Sequence, residues 1–273
     1  MVIYSSPIFN TFCPYIKTEE RIFELLRRDA DIISDEYVLI GLPLAHMINT
    51  IGVCETNKYI SNISVSAGKR RVFVCQHIQV DKLIFKDTDI IFTPHCIEGS
   101  IFKSIPHYAV NYDAPQSNKK DSFSFIGSIS THWTRRRVVS SYNNCLDSGT
   151  AWGLDSNLSD SFKRRYIDHT NNFKYSLCPR GTGISSVRLF ESMAMNCTPV
   201  IIADGYKLPL DDFIDWNNYV IRVPEADIDK LPEYIKPKSD IFDLYSKYLS
   251  NDKLHTSVMI SLLQELKNEK ISI

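Results

Sequence analysis

The chain has 273 residues, with 31 Lys and Arg against 32 Asp and Glu and a net charge of −1 at neutral pH. That balance argues against a nucleic-acid binder, which would need a basic surface to neutralise phosphates. A hydrophobic fraction of 44% is ample for one large domain or two ordinary ones.

The chain starts MVIYSSPIFNTFCPYI, a strand-like run without a basic leader and broken by Pro7 and Pro14, which is not the pattern of a signal peptide. No apolar run approaches the roughly 20 residues that span a bilayer, so a soluble, cytoplasmic protein with a natural start at Met1 is expected. Lys17–Arg28 has helical periodicity, with Ile22, Phe23, Leu25 and Leu26 on one face. Tyr37–Leu42 reads as a buried strand leading into Pro43-Leu44-Ala45-His46, and further strands are expected near 71–75 and 89–93.

Two short Asp-x-Asp stretches, Asp29-Ala30-Asp31 and Asp87-Thr88-Asp89, have a metal-site spacing. The first ends a helix and the second enters a strand, so no metal is expected at either. The seven cysteines are scattered, with no C-x-x-C pair, which fits reduced, mostly buried thiols.

Ala114–Lys120 is polar and marked by Pro115, the best linker in the chain, and predicts an N-terminal domain over 1–115 and a C-terminal one over 116–273. A second α/β series follows: strand 123–127, helices 134–147 and 160–170, strand 174–178, helix 187–196, and strands 198–203 and 219–223. Helices near 239–250 and 253–268 close the chain, the last placed to cross back to the first unit.

The most informative stretch is 174–216. A strand ends at Arg180-Gly181, a Gly- and Ser-rich loop enters a helix bearing Arg188 and Glu191, and a second strand ends at Asp204-Gly205. Ligands of parallel α/β sheets bind beyond the carboxyl ends of the strands. Ser185 and Ser186 are placed to cap the helix, whose free N–H groups then favour an anion. Arg180 and Arg188 add guanidinium forks suited to phosphate, Gly181 lets backbone approach a ligand, and Glu191 suits ribose hydroxyls. On spacing alone an ordinary surface Arg–Glu pair explains the helix equally well.

The block Cys178-Pro179-Arg180-Gly181, Ser186-Val187-Arg188, Glu191, Pro199–Ile202, Asp204-Gly205-Tyr206 and Asp215-Trp216 closely resembles the C-terminal half of the exostosin family of glycosyltransferases. FSFIGS at Phe123–Ser128 and the arginines 135–137 resemble, more weakly, the family's Phe-x-Gly strand and helix-opening arginine, matched by Arg137. RVFVCQH at Arg71–His77 and DIIFTP at Asp89–Pro94 match as fragments, but Ile78 stands where many members have Asp directly after the histidine.

The resemblance implies two Rossmann-like α/β units facing across a cleft, the GT-B arrangement, with a UDP-sugar on the second unit and a glycan acceptor on the first. It implies inverting transfer of a sugar such as xylose, glucuronate or galactose to an acceptor hydroxyl. Arg137, Arg180, Gly181, Ser185, Ser186, Arg188, Glu191 and Asp204 form the expected donor site, with arginines rather than a cation meeting the leaving diphosphate. A general base belongs on the first unit, where His46, His77, Asp81, His95 and Glu98 stand at strand ends, with Asp81 and His77 leading. Short soluble members of bacteria or large DNA viruses are the nearest pattern, which for a virus means the host cytoplasm. The alternative is a catalytically weak nucleotide-sugar-binding or scaffold subunit.

Overall fold

Parallel sheets covered on both faces need near-continuous apolar strands, and the chain supplies two such sets. The computed structural model describes residues 1–5, 9, 11–13, 17–149 and 160–271 and divides into two compact units. Unit 1 comprises Met1–His107, Lys207–Leu210 and Asn251–Ile273; unit 2 comprises Tyr108–Tyr206 and Asp211–Ser250. Pro7 and Pro14 lie outside the described residues.

Unit 1 carries β1 (Val2–Ser5), α1 (Thr18–Arg28), β2 (Tyr37–Gly41), α2 (Leu44–Asn62), β3 (Arg70–Val74), β4 (Ile90–Thr93) and β5 (Lys103–Ser104). Unit 2 continues with β6 (Lys120–Gly127), α3 (Trp133–Ser141), β7 (Cys145–Asp147), α4 (Asp160–Asn171), β8 (Phe173–Pro179), α5 (Arg188–Ala194), β9 (Thr198–Ile202), β10 (Ile221–Arg222), α6 (Leu231–Tyr234) and α7 (Ile241–Leu244). The last helix, α8 (Thr256–Ile271), belongs to unit 1.

The unit 1 sheet runs β1-β2-β3-β4-β5, every pair parallel, with no reversal of strand order. Val38, Ile40, Phe73 and Ile91 form one core with Met47, Ile48 and Ile60 of α2, a helix interrupted at Gly52. Side chains alternate across a strand, so Tyr37 points to the other face, where its hydroxyl donates to Leu262 O of α8 at 3.3 Å. Arg70 and Lys103 hold Glu265 of α8 at 3.2 and 2.7 Å. One carboxylate of each Asp-x-Asp stretch is engaged as well. Asp89 takes a two-pronged ion pair from Arg71 at 2.8 and 2.5 Å, with both side chains buried. Asp29 pairs with Arg28 and His255.

In unit 2 the order is β10-β9-β8-β6-β7, again all parallel. The chain passes from β6 outward to β7 and then returns to the other side of β6 as β8, so the order reverses between β6 and β8. Phe125, Leu177, Val200, Ile202 and Val223 build the core beneath that edge with Val138 of α3. The helix expected over 134–147 is a shorter helix and a strand. Tyr142 is extended (φ −136°), the turn-favouring Asn143 and Asn144 follow, and Cys145–Asp147 then pairs with β6.

Arg71 is buried and its other donor, Nη1, is held by Ile60 O and Ile63 O, so Asp89→Ala leaves a buried guanidinium charge without a carboxylate. A loss of about 3–5 kcal/mol is expected, read as a fall in the urea midpoint of unit 1 at unchanged slope. A midpoint within error of the parent's would show the pair to be energetically idle.

Candidate functional site

Because the unit 2 strands are parallel, the loops after Gly127, Pro179 and Ile202 leave one edge of the sheet. The crevice outside the carboxyl ends at a reversal of strand order is where open α/β sheets bind ligands. Here that crevice lies between the loops after β6 and β8, and guanidinium groups line it. Arg188, 5% exposed, stacks with its Cζ 4.5 Å from the Phe125 ring and donates to Ile126 O at 2.6 Å. Arg135 of α3 donates from Nε to Arg180 O at 3.0 Å, and Arg180 N is fixed by Ile202 O at 2.9 Å.

Glycine makes this approach possible. A Cβ on Gly127 would stand 2.7 Å from Arg188 Nη2, and one on Gly181 would stand 2.9 Å from Arg135 Nη2. Gly181 therefore makes room for an arginine. Burial, and then the charge of Arg188, press the Arg135 pKa down to about 9. The Nε atoms of Arg180 and Arg188 are buried with no hydrogen-bond partner among the described residues. Among those residues Arg135 and Arg188 meet carbonyls and aromatic faces, and no carboxylate lies at ion-pair distance from either.

Arg137, expected here, is turned to the surface and pairs with Asp229. On a helix, residues three and four apart share a face, so Arg135 sits with the buried Val138 and Arg137 does not. That apolar spacing was the legible signal for Arg135. Ser185 and Ser186 are on the edge loop that leads into α5, and Val187, directly before the helix, makes no side-chain capping bond. Ser186 O accepts from Leu189 N at 3.1 Å and Val187 already has helical dihedrals (φ −54°, ψ −35°), so the first turn starts at these residues.

Glu191, expected at the ribose, is held by protein donors. It is 1% exposed, with Oε1 accepting from Asn111 N and Nδ2 at 2.8 and 3.1 Å and Oε2 from Tyr166 at 2.5 Å. Burial raises its pKa, while the bonds from Tyr166 and Asn111 and the charge of Arg188 draw it back down. The carboxylate is thus an interior clamp beside Arg188. Asp204 sets its loop: Oδ1 accepts from Glu225 N at 3.1 Å, and Glu225 Oε1 accepts from Asp204 N at 3.2 Å. No motif pointed to Glu225. Tyr206 and Trp216 are buried packing residues.

On unit 1, His46, His77, Asp81, His95 and Glu98 all follow strands that share one carboxyl edge. His77 Nδ1 accepts from Gln79 N at 3.1 Å and Nε2 faces Asn49 Oδ1 at 3.2 Å. Both ring nitrogens are engaged, and burial and Lys82 lower its pKa. Asp81 is exposed. The His95 and His107 rings stand 5.4 Å apart, and burial presses His107 well below the usual histidine range. One buried acid at this edge escaped the sequence reading: Glu19, which accepts from Gln76 N at 2.8 Å and Ala45 N at 3.1 Å. Burial pushes its pKa up to about 8 against the pull of those bonds and of Cys75.

The Exostosin GT47 domain model matches residues 56–237, and the chain belongs to that family. The Exostosin-1 homolog of Caenorhabditis elegans is 35% identical over 82 residues, covering 30% of this chain and 22% of that protein. "Probable glucuronoxylan glucuronosyltransferase IRX7" of Arabidopsis thaliana is 42% identical over 62 residues, covering 23% of this chain and 14% of its own length. The matched segments thus span less than a quarter of these relatives. Among solved structures the GtfA/B complex has a TM-score of 0.36 at 12% identity, covering 92% of this chain and 60% of that one. No helix among the described residues is long and apolar enough to cross a membrane.

Truncating Glu191 takes away the acceptor of the Tyr166 hydroxyl and of both Asn111 donors and removes a carboxylate that interacts with the charge of Arg188. Glu191→Ala is expected to destabilise unit 2 by about 2–4 kcal/mol, seen in thermal unfolding without ligand. If its melting matches the parent's, the clamp is not structural and the carboxylate is free to serve a ligand.

Proposed function

We propose that the chain is an inverting glycosyltransferase that moves a sugar from a UDP-sugar to a hydroxyl of a glycan acceptor without a metal ion. One observation carries this reading: Arg135, Arg180 and Arg188 gather at the strand-order reversal of unit 2, and neither Arg135 nor Arg188 has a carboxylate at ion-pair distance among the described residues. Buried positive charge is costly unless it is paired, and a diphosphate entering that crevice supplies the missing anion. Cleaving the bond between the anomeric carbon and the β-phosphate oxygen leaves negative charge on the departing diphosphate. Fixed guanidiniums meet it with little reorganisation. Commitment of Asp29 and Asp89 to ion pairs supports the metal-free route. The relatives named as glucuronosyltransferases favour glucuronate as the sugar over xylose or galactose.

Inversion takes one displacement, in which the acceptor oxygen bonds to the anomeric carbon as its proton passes to a base. Of the two leading residues, His77 has its Nδ1 lone pair committed to Gln79 N, so the base in this reading is Asp81. Nucleotide grip and proton transfer then belong to different residues, and the two functions separate in mutants.

Arg135→Ala and Arg188→Ala are each expected to weaken UDP binding at least about tenfold, since an unpaired charged hydrogen bond costs about 2–5 kcal/mol. Arg137→Ala should stay near the parent. Calorimetric titration with UDP in EDTA checks both the arginines and the absence of a metal requirement, and binding that returns only with Mn²⁺ or Mg²⁺ overturns the metal-free route.

For the base, Asp81→Asn is expected to lower kcat by about 10²-fold or more while UDP affinity is unchanged. Turnover above about a tenth of the parent's, well outside that range, would remove Asp81 from the mechanism and turn attention to Glu98, His46 and His95. UDP binding without turnover or donor hydrolysis in the parent chain would instead favour the scaffold subunit.

A further inference from the structure

The first-turn N–H groups of a helix have no partner inside it. Ala45 is in the first turn of α2, and Pro43, which precedes that helix, makes no side-chain capping bond. Glu19 fills the place from another helix, its Oε1 and Oε2 standing 3.1 and 3.2 Å from Ala45 N. The same carboxyl accepts from Gln76 N at 2.8 Å, and Gln76 Oε1 accepts in return from Glu19 N at 3.0 Å. Each residue thus satisfies the other's backbone donor.

The arrangement closes on itself. Asn49 stands one turn beyond Ala45 on α2, and its Oδ1 is 3.2 Å from His77 Nε2, the residue next to Gln76. Glu19 therefore fixes both supports of the Asn49–His77 pair: the start of α2 through Ala45, and the loop after β3 through Gln76. Asp81 lies on that same loop, and His46 directly follows Ala45. Glu19 itself is 2% exposed, so it reaches these residues only through backbone. Burying a carboxyl that deeply costs stability, as its upward pKa displacement records. An apolar residue would fill the space without that cost but could not hold two loops by their N–H groups.

We propose that Glu19 is a positioning residue of the unit 1 edge: one buried carboxyl sets the place of the first turn of α2 and of the loop after β3, and thereby of His46, His77 and Asp81. This rests on the glycosyltransferase reading. Misplacing a reacting group by about 1 Å costs up to about 10²-fold in rate, which makes such a clamp worth its burial.

The test uses the full chain carrying Glu19→Ala, Glu19→Gln or Gln76→Ala. Three quantities are measured: transfer kinetics, UDP affinity, and the nitrogen-15 shifts of the His77 ring. Glu19→Ala is expected to lower kcat by about 10- to 100-fold, with UDP affinity unchanged and the single His77 tautomer replaced by averaged ring signals. Glu19→Gln keeps an oxygen that accepts from both N–H groups, so it should restore most of kcat and the tautomer. Rescue of this kind is not expected of a residue that merely fills space.

If Glu19→Ala does not fold, Gln76→Ala, which removes one arm of the clamp, is expected to lower kcat and disturb the same ring signals. Parent-like kcat and ring signals in a folded Glu19→Ala, or in Gln76→Ala where the former does not fold, overturn the proposal, as does a Gln variant as impaired as the Ala variant. Should the parent bind UDP but transfer nothing, the enzymatic reading fails while the His77 signals still decide the role of Glu19.

Discussion

The arrangement of unit 2 depends on how one buried charge is held. Arg188 lies flat over Phe125 and donates to the carbonyl of Ile126, so the end of β6 and the start of α5 are joined through a guanidinium. Gly127 is small because that guanidinium occupies the space of a Cβ. Glu191, one turn further along α5, interacts with that charge and spends its lone pairs on Tyr166 and Asn111, tying in α4 and the segment before β6. With the carboxylate used to hold the frame, Arg135 and Arg188 have no carboxylate at ion-pair distance among the described residues.

Unit 1 uses its acids the same way. Asp89 neutralises Arg71 beneath the sheet, Asp29 joins α1 to the start of α8, and Glu19 ties two edge loops to α1. Each is an acid that a motif search could take for a metal ligand or a base. What separates them from Asp81 is burial and the number of donors around them, since a carboxylate with its lone pairs filled by fixed N–H groups has little left for a substrate.

The two units differ in topology. Unit 2 reverses its strand order between β6 and β8, which opens a crevice at the carboxyl ends, and the arginines stand there. Among the described residues unit 1 adds its strands in one direction, without such a reversal. Its carboxyl edge carries histidines and an exposed Asp81 in the segments after β2, β3 and β4.

The sequence by itself determined the family, the alternation of strands and helices, and the block that carries Arg180, Arg188, Glu191 and Asp204, because those features depend on local order along the chain. It pointed to Arg137, which the fold pairs with Asp229 at the surface, while Arg135, three residues before the buried Val138, is the arginine that reaches the sheet edge. It ran a helix through Cys145–Asp147, because a strand that short is defined by its pairing with β6 rather than by its own residues. Only the tertiary structure decided that Glu191 and Glu19 are interior clamps. Their partners, Asn111 and Gln76, lie 80 and 57 residues away, and no periodicity connects groups at that separation. A carboxylate's role is set by the donors that reach it, and those donors are assembled only when the chain has folded.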